Sequence, residues 1–358
     1  MIDRLRVSVR ALPLLLLSPL LLACLWDYDT LKMELADFPS SLELITGKFR
    51  RHSDDYYRWR IEDRTKKLPV ELDTASVDHL PLLDDIAVAY DKLGNHGRAI
   101  QFADHTLRLA PDRYESLANR GTFKIHAGEL ESGLADLKRA IEINPDAHFG
   151  REIVQVRLVE FLIFERGGRA TLPLTTPRFG SPGEHGFEAF REALEVPLER
   201  KDAIKGLLGM LRFGHHDHPI LLDVLAEQFY AEGHKRMATR AYLKASMEVK
   251  DLAVQEAYRK RAKDALDMQT PNRKTHKSIP LTEFEETFRA ELADAAAYFA
   301  LITENERKWI AAGDDVDARY AEKYFPGQRK SSPPKGSPIG SLLLLIGGLA
   351  VVVGVLRS

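Results

Sequence analysis

The chain of 358 residues contains a single cysteine, Cys24, so no disulfide can form within it. Packing alone must therefore stabilise the fold. The chain also lacks an excess of charge of either sign, because 51 basic residues nearly balance 53 acidic ones and leave a formal net charge of −2. A general nucleic-acid-binding protein is expected to carry a basic excess on one face, so we predict no nucleic-acid partner.

Sequence motifs of the common catalytic sites are missing as well. The chain has no His-Glu-x-x-His zinc motif, no phosphate-binding Walker loop, no Gly-x-Ser-x-Gly nucleophile elbow and no Gly-rich dinucleotide fingerprint. We therefore predict that the protein is not an enzyme and that it uses no cofactor and no metal. Hydrophobic residues make up 44% of the chain, which is enough for a sizeable core.

Residues 1–23 have the three-part form of an export signal. Three arginines precede a largely apolar stretch at residues 11–22, which is too short to span about 30 Å of hydrocarbon. The sequence Leu-Leu-Ala-Cys that ends at Cys24 resembles the lipobox of bacterial lipoproteins. This resemblance implies cleavage before Cys24 and lipidation of its thiol. An ordinary cleaved signal peptide and an uncleaved signal anchor are the alternatives.

A second membrane-directed feature lies at the other end of the chain. Residues 339–356 carry no charge, and 18 helical residues rise about 27 Å, just enough to cross a bilayer core. Residues 329–338 are rich in Pro, Ser and Gly, which is typical of a flexible linker. We therefore predict a transmembrane helix over residues 339–356, with a buried C-terminal helix as the alternative.

The two terminal features together predict an anchored protein of the bacterial cell envelope, with the bulk of the chain periplasmic or extracellular. Its orientation stays open, because Arg329, Lys330 and Lys335 precede the predicted span and only Arg357 follows it. The positive-inside rule favours the reverse orientation, in which the protein is a cytoplasm-facing membrane adaptor. We give the export signal more weight, because it acts first and commits the chain.

The middle of the chain contains an internal repeat. Two segments of similar pattern, residues 80–111 and 114–145, end at prolines 34 residues apart. This is the period of the tetratricopeptide repeat (TPR), and both segments resemble members of that family. The matching signature positions are Ala87, Tyr90, Gly94, Ala99 and Pro111 in the first unit, and Gly121, Ala140 and Pro145 in the second.

The resemblance implies an all-α fold, a TPR-type α-solenoid of helix hairpins. Two TPR units occupy residues 80–146, and a weaker third unit lies at residues 215–249. Residues 147–214 between them read as a degenerate helical repeat with an inserted loop. Residues 24–79 form an N-terminal helical segment, and residues 250–328 form a helical cap, because an array must cover its terminal apolar face.

Two groups of polar residues are candidate functional residues. The first lies near the concave groove of the first TPR unit and comprises Asp84, Asp85, Asp91 and Lys92. In the family such residues often contact peptide ligands; a solvated helix face is the alternative. The second group is the cluster at residues 215–218.

The cluster contains His215, His216, Asp217 and His218, whose side chains are of the types that hold Zn²⁺ or Cu²⁺. However, adjacent residues converge on one ion only through a strained loop, and the sequence reveals no distant ligand. A polar turn between two helices is therefore the favoured interpretation of this cluster.

These observations predict a membrane-anchored, non-enzymatic TPR scaffold. Its partners are proteins or peptides of the cell envelope, together with the membrane lipid that holds it, because the surfaces of stacked helix pairs suit peptide and helix recognition. The alternatives are a cytoplasm-facing adaptor and, less favoured, a metal-binding or enzymatic protein that uses His215 to His218.

Overall fold

The fold is all-α, as the sequence predicts, and no strand occurs in the part of the chain that the structure describes. The computed structural model describes residues 38–72, 75–145, 151–165, 167–168, 171–174, 186–267 and 279–326. The predicted signal segment, Cys24, the linker at residues 329–338 and the predicted span at residues 339–356 lie outside these ranges. Within them, no helix is both long enough and apolar enough to cross a membrane.

Fourteen α-helices cover most of the described residues, and the chain divides into two compact units with the boundary after Val316. Helices α1 to α13 belong to the first unit. The helices are α1 (Ser41–Thr46), α2 (Asp54–Lys66), α3 (Leu80–Lys92), α4 (His96–Leu109), α5 (Tyr114–His126), α6 (Leu130–Ile143), α7 (Arg151–Glu160), α8 (Phe187–Glu192), α9 (Arg200–Phe213), α10 (Pro219–Ala231), α11 (Lys235–Glu248), α12 (Leu252–Asp267), α13 (Leu281–Ala312) and α14 (Val316–Tyr324).

The two segments of the sequence repeat are two helix hairpins, α3–α4 and α5–α6. Their first helices begin at Leu80 and Tyr114, which gives the same spacing of 34 residues as the two prolines. Pro111 and Pro145 follow the ends of α4 and α6, where a residue without a backbone N–H cannot continue the helix. Helices α10 and α11 form a third hairpin in the region of the predicted third unit.

All three hairpins turn at a glycine in the left-handed conformation. Gly94, Gly128 and Gly233 have φ values of +76°, +87° and +91°. A Cβ at any of them would meet no atom within 4 Å, so the backbone conformation and not the available space requires glycine. After each glycine the same Schellman bond of 2.8 Å closes the helix. These bonds run from Asn95 N to Tyr90 O, from Glu129 N to Lys124 O and from His234 N to Phe229 O.

The two helices of the second hairpin touch at glycines. A Cβ on Gly121 would lie 2.9 Å from the carbonyl oxygen of Gly133, and a Cβ on Gly133 would lie 2.7 Å from that of Gly121. There is therefore no room even for a methyl group at this crossing. One repeat earlier, the first hairpin has the fully buried Ala87 and Ala99 at the same positions.

The region between the second and third hairpins is helical and uses the same packing device. Helix α7 continues into a π-helical turn at Phe161–Glu165, and α8 and α9 follow. A Cβ on Gly206 of α9 would lie 2.4 Å from the side chain of Val154 of α7. Helices α7 and α9 therefore pack closely, although much of the predicted inserted loop, residues 175–185, lies outside the described residues.

The described part of the N-terminal segment, residues 38–72 and 75–79, contributes to the main apolar core. Leu44, Ile45 and Phe49 are buried in the same cluster as apolar residues of α9 to α12. The long helix α13 also reaches this segment, because the buried carboxylate of Glu306 accepts hydrogen bonds from Ser53 N at 3.0 Å and from His52 Nδ1 at 2.6 Å. The predicted C-terminal cap thus packs against the beginning of the described chain.

Candidate functional site

Two of the aspartates predicted to contact a partner are buried in ion pairs within the chain. Asp84 accepts hydrogen bonds from Arg113 Nη2 at 2.9 Å and from Ser116 Oγ at 2.8 Å. Burial raises the pKa of Asp84 to about 6, although Arg113 opposes that shift. Asp85 accepts from Arg64 Nε at 2.9 Å. Their contact with a partner stays a prediction, and the structure shows that each already joins α3 to a neighbouring element.

Lys92 links the end of α3 to the loop that precedes α10. Its Nζ donates to the carbonyl oxygens of Phe213 at 2.5 Å and Gly214 at 2.6 Å. This contact brings the loop at residues 214–218 against the first two hairpins. The ring of His215 then lies edge-on to that of His126, with 5.9 Å between the centroids.

Asp91 is the centre of a cluster formed by three helices. Nδ1 of His96 donates to Asp91 Oδ1 at 2.7 Å, and Nδ1 of His126 lies 2.8 Å and 2.9 Å from the two carboxylate oxygens. Asp91 and His126 have no exposed surface, and the side chain of His96 is 11% exposed. Burial alone would raise the pKa of Asp91, but the two histidines lower it below its ordinary value.

The two adjacent histidines of the loop, His215 and His216, point to different surroundings. His215 faces His126, whereas His216 packs edge-on against Phe49 of the N-terminal segment at 5.7 Å. Burial lowers the pKa of both His215 and His216 to about 3, and the positive charges of Lys92 and Arg51 add to that effect. Both rings are therefore neutral at pH 7. These two rings do not converge on one point.

Two buried nitrogen atoms are left without a partner at the same place. Nε2 of His126 and Nε2 of His215 have no hydrogen-bond partner among the residues that the structure describes. Buried polar atoms are usually paired in folded proteins, so two such atoms on rings 5.9 Å apart leave two nitrogens available to a ligand at this position.

The TPR-signature residues of the sequence lie at helix crossings and helix ends. Tyr90 stacks on Phe102 of α4 with 5.6 Å between ring centroids. Ala140 is buried on α6, next to Leu107 and Leu117 in one apolar cluster. These residues hold the hairpins together.

The sequence pattern does not single out His96 or His126, although a signal for them exists. His126 follows Asp91 by 35 residues, one residue more than the repeat period. Stacking of two successive repeats places residues at this separation next to each other, so polar residues at the ends of successive first helices are expected to meet. The contribution of His215 comes from a loop far along the chain, and periodicity carries no signal for it.

No protein-family model and no curated protein match the sequence of this chain. Its function is therefore inferred from residues, geometry and the TPR-like pattern.

Proposed function

We propose that the protein is a membrane-anchored, non-enzymatic TPR-type scaffold that binds protein or peptide partners in the bacterial envelope. The observation that carries the proposal is the occurrence of one hairpin three times, with the same glycine turn and with small residues where its helices cross. Stacked hairpins of this kind present extended surfaces for recognition of other proteins. The TPR resemblance of residues 80–145 supports the same use here.

We propose that partners contact the second helices of the hairpins, α4 and α6, together with α13; these three are called the outer helices. The inner helices α3 and α5 are covered by the chain itself, as in the bond of 3.1 Å from Gln155 of α7 to Thr122 of α5. A partner that used Asp84 or Lys92 would have to break their hydrogen bonds to Arg113, Ser116 and the loop before α10. By contrast, α4, α6 and α13 expose side chains along their lengths.

Site-specific photo-crosslinking in membranes tests this proposal. A photoreactive residue is placed at Gln101 of α4, at Arg139 of α6 or at Ala297 of α13, all of which are exposed. We expect a reproducible crosslinked protein from at least one position. The matched control carries Gly128→Val in addition, because a β-branched residue is strained at a φ of +87°. The crosslink should then disappear.

Two outcomes would contradict a scaffold function. One is the absence of a reproducible crosslinked protein at all three positions. The other is a crosslink that survives in Gly128→Val when circular dichroism shows that the hairpin has unfolded, since contact with an unfolded hairpin would not be specific recognition. A fourth position at buried Asp84 separates the two candidate surfaces, because a crosslink there and nowhere else would favour the inner helix.

The proposed anchoring depends on Cys24 and on residues 339–356. Mass spectrometry of the mature N-terminus should find diacylglycerol on Cys24, and the Cys24→Ser variant should lack it. A retained Met1 would instead support the cytoplasm-facing adaptor. External protease on spheroplasts should cut the chain near the fully exposed Val70 if it is exported, whereas protection would support the adaptor.

A further inference from the structure

Three side chains of metal-binding type meet where the first two hairpins contact the loop before α10, and a fourth, His215, lies beside one of them. Asp91 comes from the end of α3, His96 from the start of α4, His126 from the end of α5 and His215 from the loop. A carboxylate oxygen and imidazole nitrogens are ligands that Zn²⁺ prefers. We propose that these four residues form a binding site for a divalent transition metal ion of the zinc class, with one oxygen of Asp91 and one ring nitrogen from each histidine as ligands.

The distances within the cluster suit a single ion. One ligand atom from each of Asp91, His96 and His126 lies within 4.8 Å of the others. Two imidazoles on one tetrahedral ion, each bound at about 2.0–2.1 Å, have ring centroids roughly 5 Å apart. The observed separations are 5.4 Å for His96 and His126 and 5.9 Å for His126 and His215. His96 and His215 therefore each lie at about the separation from His126 that shared coordination requires.

The unpaired nitrogen atoms are the second, independent observation. His126 and His215 both bury Nε2 without a partner among the described residues. Coordination supplies a partner for each ring, directly through Nε2 or through reorientation of the ring. A purely structural ion pair between Asp91 and the two histidines of the hairpins leaves His215 unexplained, because no hydrogen bond connects its ring to that pair.

The charges around the cluster are mixed. Asp91 supplies a negative ligand, and Asp217 contributes a second carboxylate near His215. Lys92 opposes a bound cation, but its Nζ is directed at the carbonyl oxygens of Phe213 and Gly214. Two carboxylates against one lysine leave a site that is compatible with a dication.

The position of the site indicates a structural role for the ion. Buried, four-coordinate sites without an open position are typical of structural zinc. An ion held here joins three helices of the first two hairpins to the loop that leads into α10, and so ties those hairpins to the third. This role is independent of the proposed scaffold function, since the ion is expected to bind whether or not a partner is found.

Zinc titration of the purified full-length chain tests the site. The protein is treated with chelator, dialysed and titrated with Zn²⁺ in a calorimeter, and Co²⁺ is used as a spectroscopic probe. We expect one Zn²⁺ per chain and the intense visible bands of four-coordinate Co²⁺. The variants Asp91→Asn, His126→Gln and His215→Gln should each weaken binding by at least about tenfold, since even outer-shell changes cost that much.

The matched control is His105→Gln, which replaces another buried histidine of α4 that lies outside the cluster. Its affinity for Zn²⁺ should equal that of the unaltered chain. His215→Gln changes a loop residue and keeps the test valid if the helix variants unfold, with circular dichroism as the check. Absence of saturable binding, weak six-coordinate Co²⁺ bands, or unchanged affinity in folded His215→Gln would each overturn the proposal.

Discussion

The first and third hairpins share their backbone turn but differ in what surrounds their inner helices. Asp84 and Asp223 occupy the same position relative to the turn glycines Gly94 and Gly233, and both are buried. Asp84 is held by Arg113 and Ser116 at the start of the next hairpin. Asp223 accepts hydrogen bonds from Leu174 N at 2.7 Å, Tyr258 Oη at 3.0 Å and Arg261 Nη1 at 3.2 Å.

This difference indicates that the turn glycines and the buried polar residues of the inner helices have separate roles. The glycine turn is specified locally, so it recurs unchanged in different surroundings. The polar residues of the inner helices select which neighbours each hairpin packs against, so they diverge. At the last turn of the inner helix the first hairpin has Asp91, which is hydrogen-bonded to two histidines. The third hairpin has Tyr230 at that position, and Nζ of Lys235 lies 3.3 Å from the centroid of its ring.

The largest expected effect concerns Glu227, a buried acid of the third hairpin at the position where the first hairpin has Val88. Burial raises the pKa of Glu227 to about 8, above its value in the unfolded chain. Its contribution to stability is therefore present below about pH 4.5 and is lost as the pH rises towards 8. Ionisation of Glu227 at high pH therefore lowers the free energy of unfolding by on the order of a few kcal/mol, at roughly 1.4 kcal/mol per pKa unit. We expect Glu227→Gln to remove this loss of stability.

Urea unfolding at pH 5 and pH 8 measures this effect. The free energy of unfolding of Glu227→Gln, relative to that of the unaltered chain, should rise between pH 5 and pH 8, and the glutamine keeps an oxygen that accepts from Glu188 N at 3.0 Å. Val88 occupies the matching position in the first hairpin, and Val88→Leu serves as a control that leaves the pH dependence unchanged. Equal pH dependence in Glu227→Gln and the unaltered chain would rule out this account.

The second prediction concerns the helix crossings. Gly121→Ala should destabilise the protein by about 1–3 kcal/mol, because the added methyl group meets the carbonyl oxygen of Gly133. Gly97→Ala is the matched control on an exposed helical site, where nothing lies within 4 Å. There the same substitution should stabilise the protein by about 0.5–1 kcal/mol, since alanine is the better helix former. Chemical denaturation distinguishes the opposite signs, and equal signs would contradict the close crossing.

Much of the helical framework can be predicted from the sequence. The period between Pro111 and Pro145, the turn glycines and the small residues at positions such as Ala87 are local or nearest-neighbour features, and they indicate the hairpins directly. By contrast, neither the repeat period nor the composition of the sequence predicts which distant elements pack against each other. The approach of α13 to Ser53 and the insertion of His215 beside His126 depend on contacts between distant parts of the chain, and the second of these decides which loop joins the candidate site.

The third prediction compares the turns of the first and third hairpins. Gly94→Ala and Gly233→Ala each place a Cβ in the left-handed region, which costs about 1–2 kcal/mol. Since the turn is specified locally, the two costs should agree within about 0.5 kcal/mol in denaturant unfolding. A much larger cost at Gly233 would mean that its surroundings in the main core also constrain the turn, and the separation of tasks between turn and inner helix would fail.

The smallest expected effect concerns the aromatic pair that distinguishes the first hairpin. Tyr90 stacks on Phe102, whereas the third hairpin has Phe229 and Ala241 at the matching positions and lacks the stack. A double-mutant cycle with Tyr90→Leu and Phe102→Leu should give a coupling free energy of about 0.5–1.5 kcal/mol, the usual value for such pairs.

The control cycle for this pair replaces Phe102→Leu with a change at its exposed neighbour, Gln101→Ala, and should give coupling near zero. If the two cycles agree, Tyr90 contributes only buried area, and the stack does not distinguish the hairpins. If only the aromatic cycle shows coupling, the stack of Tyr90 on Phe102 is a specific stabilising contact between the two helices of the first hairpin. The third hairpin then depends for the equivalent stability on its contacts with α12 through Asp223 and Tyr258.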